Sequence, residues 1–253
     1  MSRNTKIVSV VIPICDHRDQ AYQTSADDME ILIPCNGVDV ELEREIASRY
    51  PRLRLIPSRG SNIQALYNVG VEAASGRFVY ISEIHCVAEP DCLEQAIRFI
   101  LASTATCASS RSDGINRNRI AEGEQQIFEN DIGRWRNDGK GKVAIRGFLI
   151  ERAAWIRAGG LRSEFGHYSE VLFGLRLEAL GERIGYADRS IVHHCNQSDF
   201  ESLTAELIDY GVGECRSNAE CSPAERLGVC HEWVKFANGR MSGLKLAVQQ
   251  TKA

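Results

Sequence analysis

An α/β fold, with a mainly parallel central sheet flanked by helices and further helices at the C-terminal end, is predicted by three observations. Apolar runs alternate with amphipathic helical stretches through roughly the first hundred residues. The earliest run, Lys6 to Pro13 (KIVSVVIP), is continuous and β-branched, as expected of a strand covered on both faces. The repeated order of strand, helix and strand then gives parallel neighbours joined by right-handed crossovers.

After Lys6–Pro13, a second strand is expected at Glu30–Pro34, closed by Asn36-Gly37. Asp39–Tyr50 reads as a helix with Leu42, Ile46 and Tyr50 on one side. RLRLIP supplies a third short strand. Ser61 is placed to cap a helix through Ala74 that carries Ile63, Leu66 and Tyr67 inward and stops at Gly76. The strand Phe78–Ser82 follows, and Asp91 starts a helix striped by Leu93, Ala96, Ile97, Ile100 and Leu101. With strands at Lys6–Pro13, Glu30–Ile33, Arg54–Ile56 and Phe78–Ser82, the expected sheet order is 3-2-1-4.

Beyond this point the signals thin. Cys107 to Lys142 is polar, rich in Gly, Asn and Arg, and reads as loop with one short helix. Lys142–Ile150 resumes a strand, and ERAAWIRAGGL is a short helix ended by Gly159-Gly160. Ser169 is placed to cap the helix EVLFGLRLEALG, and RIGYADRSIVHHCN holds two short extended pieces. Ser198 and Glu201 have capping-box spacing, and Pro223 and Gly239 bracket a last helix. No repeat or linker divides the chain. One domain over residues 1–216 is expected, with 217–253 a helical extension packed on it.

Composition narrows the function classes. Hydrophobic content of 43% and charged content of 25% suit a soluble enzyme, and a net charge of −4 gives no reason to expect a nucleic-acid partner. The apolar run Ile7–Ile12 is too short for a signal-peptide core, and no stretch is long enough to span a membrane. Nine cysteines without a secretion signal predict thiols, no structural disulfide and a cytoplasmic location. Cys215, Cys221, Cys230 and His231 do not have the spacing of a zinc pair of pairs.

The chemistry gathers where strands end. Ligands of open parallel sheets bind beyond the carboxyl ends of the strands. GRFVYISEIHCVAEPD, Gly76 to Asp91, delivers Glu83 and His85 to such an end, on one face if strand geometry persists. On those residues alone, a merely polar strand end is the competing reading.

Taken together, VSVVIP, EILIPCNG, SNIQALYNVGVEAASGRFVYISEIH, GFLIERAAWIRAGGL, YSEVLFGLRLEALGERIGY and SIVHH resemble, in order, the GT-A glycosyltransferases of family 2. The resemblance covers Val8 to Arg216. It implies a Rossmann-like nucleotide-binding domain that moves a sugar, with inversion, from a nucleoside-diphosphate-sugar donor to an acceptor hydroxyl, as a hexosyltransferase does. The acceptor would be a carbohydrate, a lipid-linked molecule or a small molecule.

The resemblance also implies roles. Glu83-Ile84-His85 stands where the family has Asp-x-Asp, the site of a divalent cation, and the imidazole favours Mn²⁺ over Mg²⁺. His193 falls where the family often has a histidine near the metal, and His194 would face the other way on a strand. Pro13, Cys15, Asp16, Cys35, Asn36 and Asn68 are the expected donor-binding residues, although Cys35 replaces the acidic residue that commonly reads uracil. The segment Ile14–Met29 is about two helical turns shorter than usual, so its helix is expected to be shortened or lost. Glu170 matches the helix-start carboxylate that acts as general base, with Asp188 and Glu164 the next carboxylates to consider. Trp135 and Trp155 are aromatic platforms for a sugar, Trp155 better suited to the core. Two other readings stay open: a catalytically weakened module that binds a nucleotide-sugar or a partner, and a nucleotidyltransferase, which would want a Gly-rich phosphate loop that the first strand lacks.

Overall fold

The computed structural model describes residues 8–13, 29–37, 40–50, 53–58 and 62–220. The predicted features at Ser61, at Cys15 and Asp16, along the shortened segment after Ile14 and at Pro223–Gly239 lie outside the described residues. Two compact units are delimited, Met1–Gly213 and Glu214–Ala253, and every side-chain contact discussed below lies in the first.

The first unit is built on one eight-stranded sheet of order β3-β2-β1-β4-β7-β6-β8-β5. β1 (Val8–Val11), β2 (Met29–Asn36), β3 (Leu53–Ser58) and β4 (Phe78–Ile81) are mutually parallel and in the predicted 3-2-1-4 order. The remaining strands are β5 (Cys86–Ala88), β6 (Cys107–Gly114), β7 (Phe148–Glu151) and β8 (Ile184–His194). β7 runs antiparallel to β4 and β6, so the sheet is mixed at its centre.

Side-chain alternation sets two cores. Val11, Val79, Ile81, Phe148 and Ile150 face α2 (Ile63–Ala73), α5 (Arg152–Arg157) and α6 (Ser169–Ala179), where Tyr67, Val71, Trp155 and Phe173 are buried. Val8, Val10, Phe78, Tyr80 and Leu149 face the other way, onto Cys92, Leu93 and Ala96 of α3 (Cys92–Ala102). α1 (Val40–Arg49) connects β2 to β3. Gly70 brings α2 against the sheet: a Cβ there would meet the side chains of Val11 and Pro34. Trp155 is core, its ring 4.5 Å from that of Phe173.

Three expectations are corrected. The stretch from Cys107 is β6 followed by α4 (Arg119–Asn137), a helix of 19 residues capped by Asn118, which accepts from the N–H groups of Ile120 and Ala121. Lys142–Gly147 is not strand, and β7 begins only at Phe148. The two extended pieces after Arg183 are one strand, β8, interrupted by a bulge where its pairing with β6 shifts between Ser110 and Arg111. Capping differs in detail. Asn62 caps α2, Ser169 is the first helical residue of α6 rather than its cap, and Asp199 caps α7 (Phe200–Glu220) through the N–H of Ser202.

Candidate active site

The carboxyl ends of β1, β2 and β4 lie together, with Ser82 N–H donating to the Val11 carbonyl just past β4. Strand geometry stops there. Glu83 to Cys86 is a turn closed by Cys86 N–H on the Glu83 carbonyl at 3.1 Å, so Glu83 and His85 converge through a turn and not through strand alternation. β5 then pairs antiparallel with the end of β8, placing Cys86 opposite His194 and Val87 opposite His193.

That register selects the third residue. His194 Nε2 lies 2.8 Å from His85 Nε2 and 3.3 Å from Glu83 Oε2, while His85 Nε2 lies 3.6 Å from the same carboxylate oxygen. His193, the histidine expected at the metal, is on the opposite face of β8, its Nε2–H donating to Glu89 at 2.7 Å. The structure thus brings His194, and not His193, next to Glu83 and His85.

The His194 ring is held from behind. Asn196 uses its amide NH₂ on Asn116 Oδ1 and Gln125 Oε1, so its Oδ1 is an acceptor, and His194 Nδ1–H donates to it at 2.6 Å. In the neutral ring the proton is therefore on Nδ1, and Nε2 presents a lone pair toward Glu83 and His85. Deeper still, Glu124 accepts from Arg146 at 2.8 Å and from Gln197 N–H at 2.6 Å, and Arg146 rests over the Phe128 ring. Sequence reasoning missed Asn196, Glu124 and Arg146: Glu124 lies in α4, where the sequence predicts mainly loop, Arg146 lies in a stretch predicted as strand, and nothing local marks Asn196 just past β8.

Electrostatics separate the carboxylates. Burial would raise Glu83, but its contact with His194 and the positive influence of His85, His194 and Arg146 outweigh it and hold the group well below the usual range. Burial lowers His85, opposed by Glu83. Glu170, in the first turn of α6, is pushed up to about 7, first by burial and then by the Glu83 charge, against the pull of Lys142, His167 and the Ile145 N–H. The base candidate is thus within electrostatic reach of the Glu83 cluster. Lys142 is itself paired with Asp131.

A further pair lies one turn before Glu170. His167 donates both its backbone N–H, at 3.0 Å, and its Nδ1–H, at 2.7 Å, to Asp209 of α7. Burial would lower His167, but the Asp209 bond and the charges of Glu170 and Glu206 raise it overall. Glu206 also acts on His85, so α7 presents carboxylates to both ends of the site. No motif in the sequence marked this pair.

The expected donor residues fall as follows. Pro13 and Cys35 are buried at the ends of β1 and β2, and Asn36 is half-buried as the last residue of β2. Asn68 clasps the backbone of Leu161, donating to its carbonyl and accepting from its N–H at 2.7 and 2.8 Å. The reserve carboxylates are engaged at the surface, Asp188 with Arg136 and Glu164 with Arg162.

Glu83, His85 and His194 each offer one ligand atom, all within 4.8 Å of one another. Two imidazole nitrogens and a carboxylate oxygen in a triangle fit a first-row divalent cation in number and chemistry.

Comparison with known proteins agrees with this architecture. The family model described as "Glycosyl transferase family 2" matches residues 14–160, which include Glu83 and His85 but end before Glu170 and His194. "Putative glycosyltransferase EpsH" of Bacillus subtilis (strain 168) is 26% identical over 217 residues, 76% of this chain and 60% of that protein, so the chain spans only about three fifths of its relative. Among solved structures, the mannosyltransferase PcManGT of Pyrobaculum calidifontis, in complex with GDP-Man and Mn²⁺, superposes with a TM-score of 0.54 at 12% identity, covering 91% of this chain and 80% of that one. The fold is that of a GT-A glycosyltransferase, and the chain belongs to glycosyl transferase family 2.

Proposed function

We propose that this chain is an inverting glycosyltransferase that uses a nucleoside-diphosphate sugar, with Glu170 as general base and a divalent cation held by Glu83, His85 and His194. One observation carries the reading. A carboxylate whose proton affinity sits near neutrality lies within electrostatic reach of a three-donor cation cluster, at the carboxyl edge of the parallel half of the sheet, β3-β2-β1-β4.

In the proposed reaction, Glu170 takes the proton of an acceptor hydroxyl as that oxygen attacks the anomeric carbon. The bond from that carbon to the diphosphate oxygen breaks on the opposite face, and the nucleoside diphosphate departs with the bonding pair. The cation, when bound, supplies Lewis-acid stabilisation of the diphosphate charge. Glu83, His85 and His194 hold that ion. The ends of β1 and β2, at Pro13, Cys35 and Asn36, line the nucleotide side. The complex of PcManGT with GDP-Man and Mn²⁺ makes GDP-mannose the first donor to try.

A catalytically weakened binding module is the second reading, favoured by the loss of the family's Asp-x-Asp. The substituted positions nevertheless retain a carboxylate and an imidazole that converge. Release of nucleoside diphosphate from a panel of nucleotide-sugars, with and without Mn²⁺ and a mixture of sugar acceptors, separates the two. Cation-stimulated release that falls by about two to four orders of magnitude in Glu170→Gln supports transfer. Tight donor binding with no release supports the module.

A further inference from the structure

We propose that the Asp209–His167 pair is a positioning device for the base: α7, through Asp209, fixes an imidazolium one turn ahead of Glu170, and that positive charge keeps the carboxylate ionised when an acceptor hydroxyl arrives. The proposal rests on the reading of Glu170 as general base and adds to it a second residue and a part for α7.

The pair is seated by its surroundings. The backbone N–H and the Nδ1–H of His167 converge on one atom, Asp209 Oδ2, at 3.0 and 2.7 Å, so backbone and ring share an anchor. α7 rests on the same turn at two further places. Tyr210 meets the Tyr168 ring edge-on at 5.3 Å. Gly213, one turn after Asp209, lets the helix close on the backbone, where a Cβ would run into the Phe165 carbonyl. Gly166 supplies the remaining room, since a Cβ there would strike the Asp209 carboxylate. Two glycines and an aromatic pair thus bring one carboxylate to one histidine.

Spacing carries the effect to Glu170. Tyr168 and Ser169 have helical φ/ψ, so His167 and Glu170 stand one turn apart. Side chains three apart on a helix are neighbours, with Cβ atoms about 5–6 Å apart. The charges around the two groups fit this role. Burial works against a proton on His167, but the Asp209 bond and the charges of Glu170 from α6, and of Glu206 and Asp209 from α7, hold it there. Burial and the Glu83 charge raise Glu170, opposed by Lys142, His167 and the Ile145 N–H. Of the two opposing cations, Lys142 is tied to Asp131, whereas the proton of His167 is held by carboxylates that include Glu170 itself. The coupling is mutual: ionised Glu170 helps His167 keep its proton, and the imidazolium helps Glu170 stay ionised.

The test follows the Glu170 carboxyl directly. Carboxyl ¹³C NMR of the full chain, with the Glu170 signal assigned from Glu170→Gln, gives its titration midpoint with no substrate present. Removing the positive charge in His167→Gln should raise that midpoint by about one pH unit, the scale for losing one close opposite charge. Asp209→Asn keeps an acceptor for both N–H groups but loosens the proton on His167, and should give part of that rise. His167→Lys, with a cation in place of the ring, should reverse much of it. Transfer from GDP-mannose with Mn²⁺ and a mixture of sugar acceptors supplies the second readout. The ascending pH limb of His167→Gln should move up with the midpoint, an approximately tenfold loss of turnover on its acid side that narrows as pH rises, with KM for the donor unchanged. A side chain that merely holds α7 in place would instead lower the rate by one factor at every pH. A midpoint unmoved in both His167→Gln and Asp209→Asn, each with native circular dichroism, would overturn the proposal, and so would a loss of turnover uniform across pH. A shifted midpoint in a chain that transfers no sugar would leave the coupling of the two groups standing and remove the reading of Glu170 as base.

Discussion

Glu170, the proposed base, carries a pH-dependent cost to stability that its proposed role would explain. Its folded-state proton affinity is raised to about 7 by burial and by Glu83, so the protein binds that proton more tightly than the unfolded chain does. By linkage, stability from this group is full below the unfolded carboxyl range and is lost as pH rises toward 7. Above that, the ionised carboxylate is a net cost to folding. Glu170→Gln should therefore melt a few degrees higher than wild type at pH 8 and about equally at pH 4.5, measured by calorimetric scans. A base must be ionised to work, so wild-type turnover should climb through neutrality and level off above it. A cation at Glu83 would remove the second cause of the rise and move that limb to lower pH. A limb that does not shift when Mn²⁺ is varied would detach the base from the cation cluster. The two histidines teach a related lesson. Sequence alternation says that His193 and His194 face opposite ways, which is correct. Which of them turns inward depends on the bulge in β8 and its pairing with β5, and neither leaves a local signal.

At the scale of elements, the first half of the fold was legible because its strands are apolar and its helices striped, and the parallel order followed. β6 and α4 were not. β6 reads CASSRSDG, yet its first four residues and Ser112 are buried. Ser110 is absorbed by a closed ring in which Tyr80, Cys92, Ser190 and Ser110 hydrogen-bond one another in turn at 2.7–3.2 Å, and Ser109 Oγ bonds the Lys142 carbonyl and the Ala144 N–H. Local composition cannot reveal a partner 80 positions away. The site suffered accordingly: Glu83, His85 and Glu170 were proposed from a strand end and a helix start, while Asn116 and Gln125, which hold Asn196 against His194, lie in the misread segment. The turn that carries His167 makes its own prediction. Gly166 has φ 53° and ψ −140°, a conformation that strains any other residue, and a Cβ there would run into the Asp209 carboxylate. Gly166→Ala should cost about 1–3 kcal/mol in chemical denaturation. In an Asp209→Ala background part of that cost disappears with the clashing carboxylate, so the double variant should be less damaged than the sum of the singles. Simple additivity would mean that backbone strain alone, and not the close seat of Asp209, requires the glycine.

The whole unit can be probed through its cysteines, because two of them report on opposite faces of the same sheet. Cys107 belongs to the core under α2 and α6, and Cys92 to the core under α3. Both are buried, with exposures of 0% and 1%, and burial pushes the Cys107 thiol up to about 12. A thiol reacts as its thiolate and only when a reagent can reach it, so neither should label in the folded protein at a rate set by its own chemistry. Each must wait for an opening. If the sheet and both helical layers unfold together, the two thiols become accessible in the same event, and their labelling rates should agree and respond equally to denaturant. The strand order argues for this outcome: β1 and β4 lie at the centre, and their alternate side chains belong to both cores, so neither layer can leave without stripping strands the other needs. Mass-resolved alkylation of Cys92 and Cys107 at rising urea measures it directly. A Cys92 that labels well before Cys107, with a smaller denaturant dependence, would mean that α3 lifts off as a separate unit. The mixed sheet would then owe its stability chiefly to the layer of α2, α5 and α6.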